Sequence, residues 1–96
     1  MFIVILRYKA SLAAIDQAAP AHREWVAQGY AEGVFLLSGP QNPRTGGAIL
    51  AHGLSRTELD ARLAQDPFNK GHLADYEIIE LAPRAADPRL AFLVDG

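Results

Sequence analysis

The sequence predicts an α+β fold of the ferredoxin-like type: a four-stranded antiparallel sheet with two helices on one face. Three observations predict it. Strand-like and helix-like segments follow one another in the order β-α-β-β-α-β, the split βαβ pattern. The first segment, Phe2 to Tyr8, is apolar on both sides, as suits a central strand covered on both faces. And 96 residues without a cysteine have to be held by one hydrophobic core of single-domain size.

The first strand, Phe2-Ile3-Val4-Ile5-Leu6-Arg7-Tyr8, is rich in β-branched and aromatic residues. Phe2, Val4, Leu6 and Tyr8 point one way, and Ile3, Ile5 and Arg7 the other. Ser11 is placed to cap a long helical stretch that reaches about Glu32. Within it Leu12, Ile15, Ala19, His22 and Val26 recur at helical spacing. Pro20 interrupts the stretch. Proline suits a helix start and damages an interior, so a short turn over 12–17 and a main helix from about Pro20 are expected. Gly33 is placed to end that helix.

Val34 to Leu37 form a second strand, ended by Ser38-Gly39-Pro40, and residues 41–46 are turn formers. Residues 47–52 form a third strand, the hairpin partner of the second. Ser55-Arg56-Thr57-Glu58 matches the capping box and opens a helix that carries Leu59 and Leu63 and ends at Gln65. Asp66-Pro67-Phe68 breaks it, and 69–73 make a loop or a single turn. Tyr76 to Leu81 are the last strand. The domain is expected over 1–83 and an apolar tail over 84–96. Leu90-Ala91-Phe92-Leu93-Val94 fits a strand against a sheet edge or a partner subunit, and equally a disordered end.

Composition narrows the function. Half of the residues are hydrophobic and 21% are charged, which excludes a disordered chain. Without cysteine there is no thiol catalysis and no thiolate metal site. A net charge of −2 and a pI near 5.8 disfavour nucleic-acid binding. No apolar run approaches a membrane span, and MFIVILR lacks a basic leader and a cleavage site, so a cytoplasmic location is expected. With both helices on one face, the other face of the sheet is left bare, with Ile3 and Ile5 exposed. Monomers seldom tolerate so large an apolar patch, so a homodimer with its sheets packed face to face is expected.

The residues offer little conventional chemistry. His22, His52 and His72 are scattered, and neither a metal-binding nor a phosphate-cradling motif is present. Neither a metal nor a cofactor is therefore expected. His22 falls on the apolar stripe near the start of the main helix, where the dipole favours a neutral imidazole. It fits either a general base or a core histidine bonded to a carbonyl. Asp66, at the end of the second helix, opposes the dipole and needs a partner elsewhere, unless it serves only the Asp-Pro turn. Both helices pack on one sheet face, so His22 and Asp66 can meet across the groove between them. A carboxylate accepting the imidazole N–H would fix the tautomer. Ser38 suits a ligand hydrogen bond or a turn. Arg7 and Arg44 suit a substrate carboxylate or plain solvation. His72 reads as a loop residue, and Trp25 and Tyr30 as packing.

Three stretches carry a family resemblance: Pro20-Ala21-His22-Arg23, then Ser38-Gly39-Pro40 with Arg44-Thr45-Gly46-Gly47, and finally Asp66-Pro67-Phe68 with Gly71. In this order and spacing, over residues 1 to about 83, the chain resembles the YCII-related (YciI-like) family. The resemblance implies a ferredoxin-like fold and a dimeric α+β barrel. It implies His22 and Asp66 as an active-site pair, with Ser38, Gly39, Pro40 and Phe68 lining the same pocket. Some relatives resemble dehydrochlorinases of chlorinated-aromatic breakdown, and the superfamily includes muconolactone isomerases. The expected function is therefore a small enzyme using a His–Asp pair as general acid/base on a small cyclic or unsaturated organic acid, by elimination, isomerisation or hydrolysis. The alternative is a non-catalytic protein that binds a small ligand. The tail after Pro83 lies beyond the resemblance.

Overall fold

A computed structural model describes residues 1–95, the last of them by its backbone alone. Its strands are β1 (Phe2–Tyr8), β2 (Phe35–Pro40), β3 (Gly46–Ala51) and β4 (Ala74–Glu80); its helices are α1 (Leu12–Ala31), α2 (Arg56–Leu63), α3 (Pro67–Lys70) and α4 (Phe92–Asp95). The strands form one antiparallel sheet in the order β2-β3-β1-β4, the ferredoxin-like arrangement. β1 is central, as its two apolar sides require.

Alternation along β1 divides the molecule. Phe2, Val4 and Leu6 turn to the helices and are almost wholly buried. They meet Ile15, Trp25 and Val26 of α1, Leu59 and Leu63 of α2 and Phe68 of α3 in one core. On the opposite side, register aligns Leu37 with Leu50, Leu50 with Ile3 and Ile3 with Ile79. This apolar row crosses all four strands. Ile3, Ile5 and Leu50 are half-buried by their neighbours rather than bare, while Leu37 is 54% and Ile79 39% exposed.

The sequence-based expectations need correction at four places. α1 is one helix of 20 residues that runs through Pro20, with Ser11 Oγ accepting from the Ala14 amide at its start. Both halves bury apolar residues against the same sheet, and this packing outweighs a proline penalty of about 3 kcal/mol. Pro20 removes the donor that the Asp16 carbonyl would otherwise have, and Asp16 lies on an exposed face where water can replace it. The capping box of Ser55 and Glu58 forms as expected, but α2 stops at Leu63. Residues 67–70 are a helical turn in their own right, α3, because Pro67 presets the backbone at its first position. The tail is not a strand: Pro88–Leu90 form a 3-10 turn and α4 follows, with Phe92 edge-on to His52. The last residue of the expected tail, Gly96, lies outside the described residues.

Candidate functional site

A cavity of about 440 Å³ lies between α1 and the sheet. One face of α1 lines it through Ala19, His22, Arg23, Val26, Ala27 and Tyr30, the spacing of a single helical stripe. Leu6, Tyr8 and Ile49 supply the sheet wall. Ser38, Gly39 and Pro40 line the β2 end, and Phe68 closes the α3 side. His22, Ser38, Gly39, Pro40 and Phe68, which the family resemblance groups, line one cavity, whereas Asp66 is buried behind His22 and does not line it. They arrive from three elements, α1, β2 and α3, so the cavity exists only in the folded chain.

His22 and Asp66 meet. His22 Nδ1 lies 2.7 Å from Asp66 Oδ1. Asp66 is fully buried and the His22 side chain is 17% exposed. Asp66 reaches this position for a different reason from the one its sequence context suggests. It is the N-cap of α3, not the C-terminus of α2, and its Oδ1 also accepts the Phe68 amide at 3.0 Å. An aspartate there suits the helix dipole instead of opposing it. His22 is likewise displaced from expectation. Because α1 begins at Leu12, His22 sits mid-helix, beyond the first turn in which the dipole acts. Its surroundings come from contacts: Phe68 stacks on the ring at 3.9 Å between centroids, and Trp25 lies 5.8 Å away.

Tyr76 is the third member. Its phenol donates to Asp66 Oδ2 at 2.6 Å. Burial, and then this hydrogen bond to Asp66, hold the phenol proton well above its ordinary range. A carboxylate only accepts, so the Asp66 oxygens accept hydrogen bonds from Phe68 N–H, Tyr76 O–H and His22 Nδ1–H. In the neutral imidazole this puts the hydrogen on Nδ1 and leaves the free lone pair on Nε2. Sequence reasoning misses Tyr76, which passes as an ordinary strand former. The available signal is alternation, since Tyr76 pairs with Leu6 and therefore faces the helices.

The remaining candidates divide. Ser38 Oγ lies 2.6 Å from the Tyr30 hydroxyl, so Tyr30 is a polar wall of the cavity and not simply packing. Arg44 lines the cavity and pairs with Asp16 of α1. Arg7 is on the opposite sheet face, paired with Glu77 at 2.7 Å. His72 is exposed, with a left-handed backbone (φ 55°), and does not line the cavity. Trp25 is buried, its indole donating to the Arg62 carbonyl. A second cavity, near the end of α1, is bordered by Glu32 and Arg62, which satisfy one another through two hydrogen bonds. Among the described residues no three His, Asp or Glu side chains gather as metal ligands, and no helix is long and apolar enough to cross a membrane.

The family model of the YCII-related domain matches residues 1–82. The chain belongs to the YCII-related family. Among solved structures it is similar to a 5-chloro-2-hydroxyhydroquinone dehydrochlorinase from Burkholderia phenoliruptrix, in complex with 2,5-dihydroxybenzoquinone. The TM-score is 0.71 and the identity 20%, over 84% of this chain and 93% of that one. At this identity the likeness is one of fold. No curated protein matches the sequence. The tail beyond residue 82 lies outside the family match.

Proposed function

We propose that this YCII-related protein is a small cytoplasmic enzyme that moves protons with His22, and that Asp66 holds His22 in the reactive tautomer. The observation that carries the reading is the 2.7 Å contact of His22 Nδ1 with a fully buried Asp66, on the wall of a ring-sized cavity. Nε2 is then the base. It takes a proton from a carbon next to a carbonyl or on an activated ring. The electron pair left on that carbon forms a double bond and expels the leaving group, or returns to a different carbon in an isomerisation. The hydrogen-bonded hydroxyl pair of Ser38 and Tyr30 has one O–H left to donate to a developing oxyanion, and Gly39, Pro40 and Phe68 shape the space around the ring. The substrate is a small cyclic or unsaturated organic acid. Dehydrochlorination, the reaction of the fold neighbour, is one such elimination, with chloride as the leaving group. The reaction needs no cofactor, because only a proton and a leaving group move.

The reading extends to assembly. The apolar row from Leu37 to Ile79 supports a homodimer in which two sheets cover one another.

Chloride release from chlorinated hydroquinones, and isomerisation of muconolactones, test the reaction. His22→Asn lowers the rate by about 10²–10⁴-fold, the usual worth of a general base, with unchanged circular dichroism. An Asn variant as active as the native protein would end the reading.

A further inference from the structure

The cavity has a charge pattern that the rest of the chain lacks. Acidic residues outnumber Lys and Arg by 11 to 9 over the whole sequence. Yet the charged residues lining this cavity are Arg23 and Arg44, and no Asp or Glu lines it. The Asp66 carboxylate is buried behind His22, already bonded to three donors. An approaching ligand therefore meets positive charge over an otherwise mostly apolar wall.

Arg44 is the better placed of the two. It lies in the turn between β2 and β3 and lines the cavity, with its guanidinium on Asp16 of α1 and the Tyr8 phenol beside it. The Arg44–Asp16 pair is exposed on both sides, at 41% and 60% for the two side chains. Such pairs are weak in water and exchange readily. A carboxylate or enolate brought in by a flat apolar body would meet the same guanidinium where less water competes, in the bidentate geometry that arginine favours.

We infer that Arg44 is the anion anchor of the cavity and that Asp16 is its resident competitor: a single-ring organic anion binds with its charged oxygens on Arg44, displaces Asp16, and lays its ring toward His22 and Phe68. This rests on the proposed function for the role of His22, and adds to it the orientation of the substrate and the residue that selects for charge. Neutral rings of the same shape are poor ligands. In the free protein Asp16 occupies Arg44, and an incoming anion competes with it.

Benzoate and its neutral near-isostere benzamide are suitable probes, followed by amide chemical shifts of the full-length protein. Benzoate shifts resonances around Arg44, His22 and Phe68, and binds about tenfold or more tightly than benzamide. Arg44→Gln abolishes that preference while leaving benzamide binding unchanged. Asp16→Asn strengthens benzoate about two- to fivefold, the range of an exposed ion pair, and leaves benzamide unaffected. Equal binding of the two probes, no binding of either, or a benzoate preference that survives Arg44→Gln overturns the inference. His22→Asn separates the two proposals. It retains the benzoate preference if the anchor is right, whatever it does to turnover.

Discussion

Tyr76 and His22 share one acceptor, and this coupling gives the site its order. Asp66 is buried with three donors converging on it. Removing one of them leaves a charged group underbonded in the interior, a cost of about 1.5–3 kcal/mol for a hydrogen bond to a charge. Tyr76→Phe is therefore expected to lower stability by about that amount in urea denaturation at neutral pH. It also loosens Asp66 and so broadens the NMR signal of the His22 Nδ1 proton, whereas Tyr30→Phe leaves that proton unchanged. The alkaline behaviour follows from the same contact. The folded chain binds the Tyr76 proton more tightly than the unfolded chain. Its contribution is thus complete below the ordinary phenol value of about 10 and is lost as pH rises above it. Native protein should lose thermal stability more steeply than Tyr76→Phe above that pH; parallel curves would show that the phenol does not titrate with unfolding.

At the scale of elements, the long helix and the hairpin beside it are matched through one missing side chain. A Cβ on Gly29 would sit 2.0 Å from the Phe35 ring. Phe35 is buried, with Trp25 and Tyr30 against its edges, so it cannot step aside. Gly29→Ala gains about 1 kcal/mol of helix propensity and loses more to overpacking, for a net loss of about 1–2 kcal/mol by chemical denaturation. The element order can be read from the sequence because β1, the 47–52 strand and the Ser55 capping box declare themselves through local chemistry. The His22–Asp66 meeting is accessible for a related reason, since both residues lie on elements that pack on one sheet face. Three features are not accessible. Continuity of α1 through Pro20 depends on packing that no local rule contains. Asp66 as a cap of α3 depends on where α2 stops, which is two residues before the apolar pattern allows. The Tyr30–Ser38 contact depends on how β2 docks against α1, and only register supplies that.

The whole molecule has two unlike faces. The helical side carries the cavity; the other carries the row Leu37, Leu50, Ile3 and Ile79. Water contact along such a row is costly, at roughly 25 cal/mol per Å² of apolar surface. Native protein is expected to sediment as a dimer at micromolar concentration, and Leu37→Lys with Leu50→Lys as a 10.4 kDa monomer. A native protein that sediments as a monomer removes the face-to-face assembly without touching the His22 chemistry. The unbroken α1 also determines where this chain can change length. It places Asp16, His22, Val26, Gly29 and Tyr30 on one rigid rod, and one inserted residue would turn everything beyond it by about 100° and advance it by about 1.5 Å. An insertion between 16 and 30 therefore puts His22 out of register with Asp66 or Gly29 out of register with the Phe35 ring. The tail after 82 bears on neither fit. Relatives of this chain should differ in length there and keep the rod at constant count.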